Sequence, residues 1–249
     1  MINFLSRSIW LILCWLELSI FTLLLYALAW IPRPFTNFYY HKLFRIWCSF
    51  FVRALGVDLR VFQNNTRPIP DQFILVANHP SALEDVGIPA MFDIYPLAKK
   101  GVMEWFLVGR INIAAGTVFV KRDDSGSRHA AADELKSILK KNKNIALFPE
   151  GGCFGRRINA TFQYGAFDLS LQTGIPILPV FLHYEAQEIF EWKKGQSLIQ
   201  KMWHFMTSKN NRANYYVYDA ILPTGFSDKK VFTEHVHQLY LAWQAKHLD

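Results

Sequence analysis

The chain has 249 residues, a length that suits one sizeable α/β core with a smaller appendage and leaves little room for a second full domain. Its net charge of +7 and its aromatic content of 16% suit contact with anionic lipid headgroups or phosphorylated substrates. No nucleic-acid-binding module is recognisable and the basic residues are not gathered in one arm, so nucleic acid is not an expected partner. Cys14, Cys48 and Cys153 follow no disulfide or zinc pattern and are consistent with a reducing compartment, and no metal site is predicted.

An apolar stretch from Ile9 to Ile31 predicts a helix of about 35 Å, which is long enough to cross a bilayer. Glu17 within it leaves open a hydrophobic helix that lies partly in the membrane. Residues 35–55 have the spacing of an amphipathic helix, for which an interfacial and an ordinary core-packed position are almost equally well supported. We therefore expect a membrane-anchoring helical segment over residues 1–55 and a globular domain over residues 56–249.

Basic residues are more frequent after the apolar stretch than before it, and the positive-inside rule then places the remainder of the chain in the cytoplasm. In that remainder, short apolar runs alternate with segments of helical periodicity. Strands are predicted over residues 57–62, 73–76, 95–100, 116–122, 144–148, 175–182, 215–218 and 221–222, and helices over 86–92, 127–143, 166–173 and 231–247. Continuous apolar runs are typical of parallel strands covered on both faces. The predicted fold class is α/β, with a mixed, mostly parallel buried sheet flanked by helices and an N-terminal membrane-anchoring helical segment.

The strand that begins at Phe73 ends in Asn78 and His79, and the prolyl-serine pair that follows predicts a strand-to-helix turn. In open α/β sheets, the carboxyl edge of the strands is where ligands bind. His79, with Glu84 or Asp85 in reach, is therefore a candidate general base with an acidic partner that orients it. A capping loop whose histidine only makes local hydrogen bonds is about equally well supported by this segment alone.

Four short segments carry a resemblance. They are Asn78-His79-x-Ser81, Val118-Phe-Val-Lys-Arg122, Phe148-Pro149-Glu150-Gly151 and Ile175-Pro176-Ile-Leu-Pro179-Val. In this order and at these spacings they resemble the four motif blocks of the glycerolipid acyltransferases, above all the 1-acylglycerol-3-phosphate acyltransferases. The resemblance covers roughly residues 73–181 and makes residues 56–249 an acyltransferase catalytic domain. It implies transfer of a fatty acyl group from acyl-CoA or acyl-ACP, as co-substrate, to the free hydroxyl of a lysophospholipid, with no metal or other cofactor.

The resemblance also implies residue roles. His79 matches the histidine that takes a proton from the acceptor hydroxyl. The acidic residue that holds it lies five positions on, which here is Glu84 where the family usually has aspartate; Asp85 is the alternative. Arg122 matches the arginine that contacts the acceptor's phosphate, an oxyanion that a guanidinium can bind bidentately.

Further contacts to the acceptor are expected at the third block. Glu150 would fix the arginine or an acceptor hydroxyl, and Gly151 would let backbone N–H groups approach the phosphate. Gly152 and Cys153 replace the threonine and arginine that the family often has next, so part of this contact would pass to Arg156 or Arg157. Ser81 of the first block completes the expected substrate-binding set.

The most specific function implied is conversion of lysophosphatidic acid to phosphatidic acid, with membrane lipids, the lysolipid and the acyl donor as partners. Acylation of another lysolipid and acyl exchange between phospholipids remain alternatives. A catalytically silent membrane protein that binds phospholipid is the alternative from a different class. The expected location is the cytoplasmic side of a bacterial inner membrane or of the endoplasmic reticulum.

Overall fold

A computed structural model describes residues 2–31, 33–193 and 195–248. The chain begins with two long helices, α1 (Ile2–Leu28) and α2 (Arg33–Ala54). They pack antiparallel, since the Tyr40 hydroxyl donates to the Leu25 carbonyl at 2.9 Å near one end of the pair and Arg53 forms an ion pair with Glu17 nearer the other. The charge that interrupts the apolar stretch is therefore neutralised by the second helix.

The rest of the chain is built around a seven-stranded sheet in the order β1-β7-β6-β2-β5-β3-β4. The strands are β1 (Asp58–Gln63), β2 (Ile74–Ala77), β3 (Tyr95–Lys99), β4 (Val118–Val120), β5 (Ile145–Leu147), β6 (Ile177–Tyr184) and β7 (Arg212–Val217). Every neighbouring pair is parallel except β6 and β7. The predicted α/β class with a mixed, mostly parallel sheet is confirmed.

Helices cover both faces of this sheet. They are α3 (Glu84–Met91), α4 (Val108–Ala115), α5 (Ser125–Leu139), α6 (Gly165–Thr173), α7 (Gln187–Phe190), α8 (Leu198–Thr207) and α9 (Lys229–Leu248). All four residues of β2 are buried, and their side chains alternate between two apolar clusters. One cluster includes residues of α2, α3, α7 and α8, and the other includes residues of α5, α6 and α9. Because α2 shares its cluster with the sheet, the two segments form one packed body, and the boundary at residue 56 stays a prediction.

Two features of the structure differ from the elements predicted. Helices α4, α7 and α8 were not predicted, although Ser197 and Gln200 form a capping box at the start of α8. The predicted strand over residues 221–222 is reduced to a single bridge between Ile221 and Ile177, because the chain turns into a 3₁₀ helix at Pro223–Gly225.

Helix α1 lies along the folded body at both of its ends. Near its start, Arg7 donates to the Ser208 carbonyl at 2.9 Å and the Trp15 indole donates to the Met206 sulfur at 3.0 Å. At its end, Arg110 of α4 donates to the Ala29 carbonyl at 2.8 Å. Within α1, Ser6–Leu28 is long and apolar enough to cross a membrane by length and composition, with a mean hydropathy of 2.2. The side of α1 turned away from α2 exposes many large apolar residues.

Candidate active site

The site lies at the carboxyl edge of the central strands. β2 and β5 are adjacent and parallel, so His79, which follows β2, and Phe148 and Glu150, which follow β5, leave the sheet side by side. The Phe148 ring stacks on the His79 imidazole with the ring centroids 4.3 Å apart. This contact leaves His79 only 7% exposed and fixes one face of its ring.

Glu84 is the acidic residue that contacts the histidine. It is fully buried at the first position of α3, and its Oε2 lies 3.0 Å from Nδ1 of His79. The same oxygen accepts from the Ser81 N–H at 3.1 Å, and Oε1 accepts from the Tyr184 hydroxyl. An ionised carboxylate can only accept, so Nδ1 carries the proton. The lone pair is then on Nε2, which has no hydrogen-bond partner in the part of the chain that the structure describes.

Asp85, the alternative partner, makes no hydrogen bond to the imidazole or to any other described residue. It acts on His79 through its charge alone. The acidic residue that contacts His79 is therefore the one five positions after it, Glu84. Its side chain, one methylene longer than that of aspartate, reaches the imidazole without a bulge in the turn.

The surroundings of His79 act on its pKa in opposite directions. Burial lowers the pKa, whereas the hydrogen bond that His79 donates to Glu84 and the negative charges of Glu84, Asp85 and Glu150 raise it, and the net result is a pKa above the ordinary 6.5. The imidazolium form is thus stabilised within the site. A group that is a better base than free histidine, and whose protonated form is held by a carboxylate, suits general base chemistry.

Glu150 has a different contact from the one expected of it. Its two carboxylate oxygens accept the backbone N–H groups of His79 at 2.7 Å and Asn159 at 2.9 Å, and the side chain is buried. It therefore ties the turn after β2 to the loop after β5, and it does not hold Arg122. Burial raises the pKa of the Glu150 carboxyl, and the two N–H donors oppose that effect. Its visible role is to set the position of the histidine backbone.

Arg122 is exposed at the end of β4, on the same edge of the sheet as His79. Its Nη1 lies 3.7 Å from the point where a Cβ on Gly152 would be, so the guanidinium approaches the loop that carries Glu150. Arg122 also lines a cavity of about 650 Å³ that shares Phe148 and Glu150 with the histidine site. The walls of this cavity are largely apolar, with lining residues that include Leu97, Val120, Ala131, Leu135, Leu147 and Leu169.

The other expected substrate contacts are distributed differently. The Ser81 hydroxyl is fully buried and accepts the Leu83 N–H at 3.4 Å, so it shapes the turn. Gly151 lines the cavity with a backbone φ of +75°, a conformation that favours glycine. Arg156 forms a bidentate ion pair with Glu191, at 2.6 and 2.9 Å, which occupies the fork that a headgroup would need. Arg157 is exposed and does not line the cavity.

Tyr184 is a site residue that the sequence did not reveal. It belongs to the end of β6, and its hydroxyl reaches Glu84 from a strand a hundred positions later in the chain. Burial and then the Glu84 charge raise the pKa of Tyr184 well above its usual value, so the hydroxyl remains a donor. A tyrosine within an apolar strand is an ordinary core residue in sequence, and only the adjacency of β2 and β6 gives it this contact. Among the described residues, no group of three or more His, Cys, Asp and Glu side chains has the arrangement of a metal site.

Comparison with known proteins identifies the family of the chain. Residues 60–183 match the model of the acyltransferase family. The lyso-ornithine lipid O-acyltransferase of Pseudomonas aeruginosa is 29% identical over 57% of this chain and 54% of its own length. The 1-acyl-sn-glycerol-3-phosphate acyltransferase of Neisseria gonorrhoeae is 26% identical over 53% of this chain and 51% of its own. The chain thus spans about half the length of these curated relatives.

A solved structure has the same fold over nearly the whole chain. The crystal structure of the 1-acyl-sn-glycerophosphate acyltransferase PlsC from Thermotoga maritima superposes with a TM-score of 0.70, covering 98% of each chain at 18% sequence identity. At that identity the likeness concerns the fold. The segment that matches the acyltransferase family model contains His79, Glu84, Arg122 and Glu150, and the chain belongs to this acyltransferase family.

Proposed function

We propose that this protein is a membrane-associated O-acyltransferase that moves a fatty acyl group from a thioester donor to the free hydroxyl of a lysophospholipid. The observation that carries the proposal is the buried His79–Glu84 pair, whose free Nε2 lies at the edge of the sheet shared with Arg122. The names of the relatives agree in reaction class, because both describe acyl transfer to a lysolipid.

In the proposed reaction, Nε2 of His79 takes the proton of the acceptor hydroxyl as its oxygen attacks the thioester carbonyl carbon. The new carbon–oxygen bond forms, the carbon–sulfur bond breaks, and the imidazolium passes the proton to the departing thiolate, which leaves as the free thiol. Glu84 holds the ring in the required tautomer and offsets the positive charge that develops on it. The substrate supplies the nucleophile, so no acyl-enzyme forms.

The cavity beside Arg122 supports a lysolipid as the acceptor. A cavity of about 650 Å³ with largely apolar walls is within the usual range of ligand pockets and suits part of an acyl chain, while Arg122 suits an anionic group at the cavity wall. Lysophosphatidic acid, with a terminal phosphate, matches this arrangement most directly. We therefore take phosphatidic acid as the product, with other lysolipid acceptors and phospholipid transacylation as the alternatives.

The contacts of α1 help to decide whether this helix crosses the bilayer or lies within one leaflet. Arg7 and Ala29 lie near opposite ends of α1 and both bond to the folded body, which keeps the helix alongside that body. This supports a helix that lies partly in one leaflet, with its exposed apolar side among the lipid chains, over one that crosses the membrane away from the domain. The charge asymmetry of the sequence favours the cytoplasmic leaflet.

The direct test is an assay of the full chain, purified in detergent and returned to vesicles, with lysophosphatidic acid and either acyl-CoA or acyl-ACP. We expect release of the donor thiol and formation of phosphatidic acid, both detected by mass spectrometry. Lysophosphatidylcholine and lyso-ornithine lipid, tested in parallel, rank the acceptors. Binding of lysolipid without turnover of any acceptor would favour the silent phospholipid-binding protein, and product formed without a thioester donor would favour the transacylase.

Replacing Arg122 with alanine is expected to lower kcat/KM for lysophosphatidic acid by about 10- to 100-fold, mostly through KM, because hydrogen bonds to a charged group are lost. Arg122→Lys should recover part of the loss, since it keeps the charge without the fork. Arg67→Ala is the matched control, because Arg67 is exposed in the loop after β1, at the opposite edge of the sheet. Steady-state kinetics check the result, and an unchanged KM in Arg122→Ala would remove Arg122 from the acceptor site.

A further inference from the structure

The segment between β3 and α4, which includes a 3₁₀ helix at Lys100–Glu104, exposes three large apolar side chains together. Phe106 is 84% exposed, Trp105 47% and Met103 37%. Single exposed apolar residues are common on soluble proteins, but adjacent ones at the end of a loop indicate a contact surface. We call Met103, Trp105 and Phe106 the apolar tip. The tip follows the carboxyl end of β3, which is the edge of the sheet that carries His79 and Arg122.

The apolar tip is held in a defined shape. The Gly109 N–H donates to the Trp105 carbonyl at 2.8 Å, and a Cβ on Gly109 would lie 2.1 Å from the Met103 oxygen, so only glycine fits this close approach. Leu107 has a φ of +59°, which is unfavourable for a leucine. Backbone strain of this kind persists where the surrounding structure enforces it, and it often marks a functional segment. The tip is therefore presented outward by a constrained backbone.

The residues around the tip have the chemistry of a bilayer interface. Lys99 and Lys100 are exposed immediately before the tip, and Lys121 is exposed at the end of the adjacent strand β4. Glu104, Asp123 and Asp124 are the exposed acidic residues in the same segments, and Asp124 accepts the Ser127 N–H as the cap of α5. Aromatic residues beside lysines are typical of surfaces that insert among lipid headgroups. The basic side chains suit anionic headgroups.

The apolar tip is connected to the end of α1 through helix α4. The Arg110 side chain of α4 lies 4.5 Å over the ring of Trp30, which is exposed just after α1. Helix α4 begins directly after the tip, so it connects the tip to the end of α1. The end of α1 and the tip are thus connected through α4.

We propose that the apolar tip is a second bilayer contact, which inserts among the headgroups of an anionic leaflet and sets the edge that carries His79 and Arg122 against the lipid surface. The proposal rests on the proposed function only in taking the acceptor to come from the bilayer. In this arrangement α1 provides attachment and the tip provides orientation. A lysolipid would then reach Arg122 from the leaflet without first leaving it.

The first test does not depend on turnover. Phe106→Cys carries a polarity-sensitive fluorophore in a Cys153→Ser background, where the remaining Cys14 and Cys48 are buried. The matched control is Leu222→Cys, because Leu222 is also exposed but lies beside the start of β6, at the opposite edge of the sheet. In phosphatidylglycerol vesicles with brominated acyl chains, we expect strong quenching of the label at position 106 and little at position 222. Equal quenching at the two positions would overturn the proposal.

The second test separates membrane docking from catalysis. Trp105→Ser with Phe106→Ser is expected to lower kcat/KM about tenfold for a lysolipid embedded in phosphatidylglycerol vesicles and to leave a short-chain monomeric lysolipid unaffected. An equal loss in both formats, or none in vesicles, contradicts docking by the tip. If a second copy of the chain covers the tip instead, the double variant will change the oligomeric state in detergent, as light scattering would show. If the protein is not an acyltransferase, neither the embedded nor the monomeric lysolipid will be acylated. The quenching experiment then still decides whether the apolar tip contacts the bilayer.

Discussion

Replacing His79 with alanine is expected to lower kcat/KM for acyl transfer by about 10²- to 10⁴-fold, the usual contribution of a positioned general base. The alanine removes Nε2, the group proposed to accept the proton, while the His79 N–H that Glu150 accepts is retained. The turn should therefore keep its shape. The measurement is the steady-state rate of thiol release with lysophosphatidic acid in excess, together with a thermal melt to check folding.

His235→Ala is the matched control for this variant, because His235 is an exposed histidine on α9. It should retain the rate of the unmodified protein. A His79→Ala protein that melts normally and keeps more than about a tenth of the activity would remove His79 from the role of base.

The pH dependence of the unmodified protein follows from the raised pKa of His79. Protonated imidazole cannot accept the hydroxyl proton, so kcat/KM should be full at high pH and should fall as the pH drops through a value above 6.5. The fall should approach tenfold per pH unit. A pH profile that is flat down to pH 6, or one that falls only well below it, would contradict a general base at His79 whose pKa is raised by Glu84.

The sequence predicted well those features that depend on local pattern. A short, continuous apolar run predicted β2, and all of its residues are buried in the structure. The turn signal that follows predicted that His79 lies at the edge of the sheet. The four motif segments assigned Arg122 and Glu150 to the same site as His79, and the structure brings them to the same edge because parallel strands end together. Local pattern could not predict what the Glu150 oxygens would contact. Two backbone N–H groups occupy them, one of which belongs to Asn159 in a loop without regular structure.

Contacts between residues that are far apart in the chain could not be predicted from the sequence. Tyr184 acquires its contact with Glu84 only because β6 lies beside β2, and nothing within β6 distinguishes that tyrosine from a core residue. The position of Arg156 after Gly152 suggested a contact with the headgroup. In the structure, however, its guanidinium is paired with Glu191, directly after α7. Helix α7 itself is four residues long, too short for a periodicity to be read.

The sequence left open whether Glu84 or Asp85 orients His79, whereas the structure shows the contact with Glu84. A pair of isosteric variants tests this assignment. Glu84→Gln is expected to lower kcat/KM by about 10²- to 10⁴-fold, with Asp85→Asn within about threefold of the unmodified protein. The amide can donate to Nδ1, which moves the imidazole proton to Nε2 and removes the lone pair that the acceptor hydroxyl needs. It also removes the charge that offsets the imidazolium.

The pH profile of the same variants separates an electrostatic partner from a merely structural one. The hydrogen bond and charge of Glu84 are the main contributions that raise the His79 pKa against the effect of burial, so Glu84→Gln should move the lower limb of the remaining activity to lower pH. Asp85→Asn should shift that limb much less, because Asp85 acts on His79 through its charge alone, without a hydrogen bond to the ring. Glu84→Asp, shorter by one methylene, should keep the charge but lose part of the 3.0 Å contact, and so fall between the two in rate. If Asp85→Asn instead lost the activity and shifted the limb while Glu84→Gln did neither, the acid that orients His79 would be Asp85.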